Sequence, residues 1–120
     1  MTQILIADDQ SDIRRLLSIS LGKTYEILES NDGVTALEMI RQHRPRLVLL
    51  DVMMPGELNG LQVLDAIKAD PETSHIVVAM VTARGQQTDC QDASARGADA
   101  YFVKPFSPMQ VASWIREQLA

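Results

Sequence analysis

The stretch "LVLLDVMMPG", Leu47 to Gly56, decides how this chain is read. Leu47, Val48, Leu49 and Leu50 run without a polar interruption and stop at Asp51. A short continuous aliphatic run suits a strand covered on both faces, as in a parallel sheet. Asp51 then stands where that strand leaves the core. A carboxylate there either starts a turn or is a reactive group on a rigid support. The rest of the chain has to decide between them.

Working outward, apolar runs alternate with amphipathic stretches. "QILIA" (Gln3 to Ala7), "YEILES" (Tyr25 to Ser30), "IVVAMV" (Ile76 to Val81) and "AYFV" (Ala100 to Val103) read as the first, second, fourth and fifth strands. Ile13, Leu16, Leu17, Ser20 and Leu21 recur at helical spacing before Gly22, a natural stop. Asp32 can cap a second helix carrying Ala36, Leu37 and Ile40 that ends before Pro45. Asn59 can cap a third, with Leu61, Leu64, Ile67 and Lys68, that ends at Pro71. The fourth, Gln86 to Arg96, is weaker, with only Cys90, Ala93 and Ala95 on its apolar side. The last has the clearest start: Ser107 and Gln110 match a capping box, with Pro108 at the first helical position. Five strands alternating with five helices imply a parallel sheet wound on both faces.

Composition agrees with one α/β domain spanning residues 1–120. The chain has 120 residues, 46% of them hydrophobic and 22% charged, enough for a sizeable core without disulfides. Only 4% are aromatic, so that core is aliphatic. No apolar run approaches a membrane span, and "MTQILIADD" carries no basic leader. A single cysteine, Cys90, suits a reducing cytoplasm, the expected location. The net charge of -5 opposes direct nucleic-acid binding by this domain.

The strand ends carry the polar residues. The first ends in Asp8-Asp9, the third in Asp51, the fourth in Thr82 and the fifth in Lys104. In an open parallel α/β sheet, ligands bind beyond the carboxyl ends of the strands. Three acids, a hydroxyl and an amine therefore converge. Two like charges about 4 Å apart oppose each other by about 4 kcal/mol at an effective dielectric of about 20. Such a cluster calls for a cation, and an all-oxygen donor set suits Mg²⁺. A phosphoryl group could then approach, its oxygens met by Lys104, the metal and Thr82. With the third strand beside the first, Asp51 becomes the natural nucleophile, forming an acyl phosphate.

These residues resemble the response-regulator receiver domains of two-component signalling along essentially the whole chain. The carriers are Asp8-Asp9 after "ILIA", Asp51 in "LLDVMMPG", Thr82-Ala83, and Lys104-Pro105-Phe106 in "YFVKPF". The resemblance implies a flavodoxin-like sheet of order 2-1-3-4-5, and phosphoryl transfer to Asp51 from a histidine kinase or phosphotransfer protein. It implies Mg²⁺ held by Asp8, Asp9, Asp51 and the Met53 backbone carbonyl, with Thr82 and Lys104 on the phosphoryl oxygens. Tyr101 matches the family's aromatic switch. The implied output is the face of the fourth helix, fifth strand and fifth helix, acting on a partner or attached output domain. A homodimer through the last helices stays open, and the family often has a cis bond at the position of Lys104-Pro105.

One departure is plain. Most members place a glycine eight positions after the phosphoacceptor, whereas Gly60 stands nine after Asp51. Met53 replaces a side chain that is often polar, and Arg84 lies two past Thr82; both are expected to flank the phosphoryl group and tune its lifetime. Other readings compete. A dehalogenase-type aspartyl phosphatase would carry a general-acid aspartate at Met53. A flavin module would need a hydroxyl-rich loop where "DDQSD" stands. A receiver-like module that is never phosphorylated would typically lack one of the acids or the lysine. Taken singly, Asp8-Asp9 would cap the first helix, Tyr101 and Cys90 would pack, Trp114 would anchor the last helix, His43 and His75 would lie on the surface, and Asp89, Asp92, Arg96 and Asp99 would form a solvated helix face.

Overall fold

Each residue of the run Leu47–Leu50 (β3) is buried, because its two faces serve two different cores. In the computed structural model, which describes residues 1–120, Val48 and Leu50 join one core and Leu47 and Leu49 the other. Side chains alternate across a strand, so a strand between two helical layers needs apolar residues at every position. The other strands are β1 (Gln3–Ala7), β2 (Glu26–Ser30), β4 (Val77–Thr82) and β5 (Ala100–Val103). All four pairings are parallel, in the order β2-β1-β3-β4-β5. The helices are α1 (Ser11–Leu21), α2 (Gly33–His43), α3 (Gly60–Ala69), α4 (Gln87–Ala95) and α5 (Pro108–Leu119). Leu17, Leu21, Val111, Ala112 and Ile115 close one face of the sheet from α1 and α5. Ala36, Ile40, Val63, Leu64 and Ile67 close the other from α2 and α3, with Ala93 of α4 added.

Most helix boundaries follow their expected signals. Gly22 ends α1 at φ 68, its N–H bonded to Ser18 and Ile19 carbonyls. Asp32 Oδ1 accepts from Thr35 N at 2.7 Å and starts α2. The reciprocal capping box, however, belongs to α3. Asn59 Oδ1 accepts from Gln62 N at 2.9 Å, and Gln62 Oε1 accepts from Asn59 N at 2.8 Å. At α5 only the forward half forms, Gln110 N donating to Ser107 Oγ at 3.2 Å. The fourth strand is shifted by one residue, because Ile76 N donates to the Thr73 carbonyl and closes a turn.

The apolar stripes need three corrections. Leu16 is 41% exposed, because α1 packs through Leu17 and Leu21 instead. Val63, absent from the expected α3 stripe, is fully buried. On α4 only Ala93 is buried; Cys90 is exposed rather than packed. Val63, Leu64 and Ile67 seat α3 with about 2 kcal/mol of burial apiece, whereas the one methyl of Ala93 contributes about 1 kcal/mol. Trp114 is half-buried and meets Phe102 edge-on at 5.8 Å.

Candidate functional site

The sheet register builds the site. Ala7 pairs with Leu50, so the next residues, Asp8 and Asp51, leave neighbouring strands side by side. Main-chain bonds carry the ladder one step further: Asp51 N donates to the Ala7 carbonyl and Asp8 N to the Ser30 carbonyl, both at 3.0 Å. On the other side Thr82 pairs with Val103, and Lys104 N donates to the Thr82 carbonyl at 2.8 Å. The peptide before Pro105 is cis.

Three carboxylates meet there. Asp8, Asp9 and Asp51 each offer an oxygen, and those oxygens lie within 4.8 Å of one another. Asp8 and Asp51 are buried and Asp9 is exposed. Lys104 Nζ reaches across, donating to Asp8 Oδ2 at 2.7 Å, Asp51 Oδ2 at 2.9 Å and Gln10 Oε1 at 2.9 Å. Those bonds use all three ammonium hydrogens. The second oxygen of each buried acid is held by backbone: Gln10 N donates to Asp8 Oδ1 at 2.9 Å, and Met53 N to Asp51 Oδ1 at 3.1 Å. Neither Asp8 nor Asp9 caps α1, whose N-cap is Gln10 without a side-chain capping bond.

One ammonium faces three acids, so the pocket is short of positive charge. Burial, aided by the charge of Asp51 and opposed by the bonds from Lys104 and Gln10, raises the pKa of Asp8. Burial opposes the Lys104 ammonium, but its bonds to Asp8 and Asp51 outweigh this and leave its pKa raised. Clustered carboxylate oxygens with an uncompensated charge fit a hard divalent cation.

The rim is built by close backbone contacts. A Cβ on Gly60 would lie 1.9 Å from the Asp51 carbonyl oxygen, and one on Gly33 would lie 2.2 Å from that of Leu58. Only glycine permits either approach. Gly60 N also donates to the Val52 carbonyl at 2.8 Å. Gly60 therefore closes the loop onto the strand end despite its later position. Beside the acids runs an open groove of about 440 Å³, lined by Asp9, Met53, Met54, Pro55, Asn59 and Arg84 among others. Met53 is 61% exposed. Thr82 is fully buried, its Oγ1 accepting from Arg84 N at 3.3 Å. Tyr101 does not enter the groove; it is half-buried on the α4 side, with its hydroxyl donating to the Arg84 carbonyl. Burial first, and then the charge of Asp89, raises its pKa.

Several contributors were not expected. Gln10 completes the coordination of the lysine. Arg14 donates from Nη1 to the Asp8 carbonyl at 2.7 Å and pairs through Nε with Glu29 at 3.1 Å. The acidic face assigned to solvent is largely paired. Arg84 pairs with Asp89 at 3.1 Å, and Arg96 pairs with Asp65 at 2.6 Å and with Asp92 at 2.9 Å. Asp99 Oδ2 accepts from Val78 N at 2.9 Å, lining up β5 with β4. His43 and His75 are exposed, as expected.

Fold and site together define a doubly wound α/β domain with an acidic pocket at the carboxyl ends of β1 and β3. The chain belongs to the response regulator receiver domain family, whose model matches residues 4–116. It is 44% identical over 115 residues to the "Probable transcriptional regulator ycf27" of Galdieria sulphuraria, covering 95% of this chain and 44% of that protein. It is 37% identical over 118 residues to the transcriptional regulatory protein SrrA of Staphylococcus aureus, covering 98% and 47%. The chain thus spans about half the length of the curated relatives it matches. Among solved structures it resembles a LuxR-family DNA-binding response regulator from Staphylococcus aureus (29% identity, TM-score 0.88, all of both chains). It also resembles the chemotaxis response regulator CheY4 of Vibrio cholerae (27%, TM-score 0.88, 98% of both chains). These relatives are regulators rather than enzymes of a metabolic kind. No helix is long and apolar enough to cross a membrane.

Proposed function

We propose that residues 1–120 act as one receiver domain that takes a phosphoryl group onto Asp51 from a phosphohistidine of a kinase or phosphotransfer protein. The observation that carries this reading is the convergence of three carboxylates on one shared ammonium at the strand ends. An Asp51 carboxylate oxygen attacks phosphorus. The P–O bond forms as the P–N bond breaks, and the imidazole leaves with the bonding pair. Met53 N and Lys104 hold the carboxylate in a fixed orientation beforehand. Lys104 passes its bond from Asp51 to the incoming phosphoryl oxygens, and the Thr82 hydroxyl turns from Arg84 N to donate to another. Asp8, Asp9, Asp51 and the Met53 carbonyl would hold Mg²⁺, which when bound supplies the charge that lets an anion enter an acidic pocket.

The new phosphate adds negative charge and acceptor oxygens. As Thr82 moves towards it, Tyr101 turns inward and the α4-β5-α5 face changes shape for a partner or attached output domain. This is a biased two-state equilibrium. The domain in this reading assists its own phosphorylation and dephosphorylation without turning over a separate substrate. The test is incubation with acetyl phosphate, with and without Mg²⁺, for wild type and Asp51→Asn. Phosphate uptake by wild type that requires both Mg²⁺ and Asp51 is expected. Equal uptake by Asp51→Asn would overturn the assignment.

A further inference from the structure

The wall of the groove formed by the β4–α4 segment is fastened differently from the rest of the molecule. Helix α4 buries a single side chain, Ala93, and its N-cap residue Gln86 makes no side-chain capping bond. Ion pairs grip it near both ends. At its C-terminal end Arg96 reaches Asp65 of α3 at 2.6 Å. At its N-terminal end Arg84 Nη2 holds Asp89, in the first turn, at 3.1 Å. Arg84 also lines the groove beside Asp9 and Met53. The residue whose guanidinium holds the helix therefore also lines the groove beside the acids. Its side chain is 49% exposed and that of Asp89 22%, so water reaches both groups when the pair opens.

We propose that the Arg84–Asp89 pair is a latch. At rest it pins the first turn of α4 to the rim of the acidic groove. Phosphate on Asp51 draws Arg84 off Asp89 and frees that end of the helix, while Arg96–Asp65 keeps the other end seated. A phosphoryl group has more charge and more acceptor oxygens than the Asp89 carboxylate, and its geometry suits a bidentate guanidinium. Because the Tyr101 hydroxyl holds the Arg84 carbonyl, the exchange disturbs Tyr101 through the same residue. Arg84 would touch the phosphoryl group; Asp89 is a positioning residue that acts through it. This inference rests on Asp51 being the phosphoacceptor.

The test is a cycle of wild type, Arg84→Gln, Asp89→Asn and the double variant. It reads amide hydrogen exchange across residues 87–95 and the rate of phosphate uptake from acetyl phosphate with Mg²⁺. Exposed ion pairs of this kind change populations by about two- to fivefold. Phosphorylation of wild type should speed α4 exchange by that factor. Asp89→Asn should show the faster exchange before phosphorylation and take up phosphate about two- to fivefold faster, its Arg84 being free. Arg84→Gln should also loosen α4 but take up phosphate more slowly, and Asp89→Asn should add nothing in that background. A carboxylate near a helix N-terminus also stabilises the helix by itself. If Asp89→Asn speeds exchange equally with and without Arg84, the latch is overturned. Wild-type exchange in Asp89→Asn overturns it too. If wild type takes up no phosphate, the phosphoacceptor reading falls and the release step with it.

Discussion

The segments that lead into α3 and α4 line the same groove, through Asn59 and Arg84, yet the two helices are held by opposite means. Helix α3 begins at a reciprocal capping box, buries Val63, Leu64 and Ile67, and abuts the Asp51 carbonyl through Gly60. Helix α4 has no side-chain cap, one buried alanine, and arginines near its two ends. Apolar packing is dense and yields little to salt or to a new charge; partly exposed ion pairs yield to both. The pocket therefore has one wall that keeps the acids in place and one that can answer to what the acids acquire.

Substitutions on the two sides should separate accordingly. The largest loss is expected for Gly60→Ala. Its methyl would meet a backbone oxygen at 1.9 Å, which no rotamer change relieves. A loss of about 3 kcal/mol or more follows, read from the urea midpoint. Ile67→Ala, on the buried face of α3, should cost about 2–5 kcal/mol in the same assay. Next comes a gain. The raised pKa of Asp8 means that its ionised form is disfavoured in the folded chain. Folding is thus helped by the protonated acid, and that help is lost as pH rises through the folded pKa. Asp8→Asn should stabilise the metal-free protein near neutral pH, read from the urea midpoint, with the advantage shrinking as pH falls through the folded pKa of Asp8 and wild type takes up the proton. An advantage that persists unchanged to low pH would count against burial as the cause. The smallest effect is expected for Gly85→Ala on the α4 side. Its methyl would meet only the side chain of Val103, Cγ1 nearest at 2.8 Å, and that residue is 41% exposed with room to shift. A change under about 1 kcal/mol would sharpen the contrast with Gly60, and a change of equal size would break it.

The elements were readable because each signal is local. Leu47–Leu50 announces a two-sided strand by having no polar residue, and Asp32 and Asn59 announce helix starts. That the acids, Thr82 and Lys104 lie at one edge was readable because a parallel sheet sends every carboxyl strand end the same way. What escaped depended on through-space partners. Nothing in "DDQSD" says that Gln10 will share the lysine, and nothing near Asp89 says that Arg84 will turn back to it. Leu16 and Val63 exchanged expected burial because several helical faces fit the same periodicity, and only the neighbouring layer chooses among them. The capping box was expected at Ser107 and found complete at Asn59, where Gln62 reaches back to the main chain.

The loop between Asp51 and Gly60 has a mechanical corollary. The segment is gripped at its start, where Gly60 presses on the Asp51 carbonyl, and again where Gly33 abuts Leu58. Between those clamps Gly56, at φ 91, has nothing within 4 Å of where a Cβ would be. Slack introduced at that point bulges outward and does not reach the carboxylates. A short graft at Gly56 should therefore leave the geometry of the acids a few residues away unchanged.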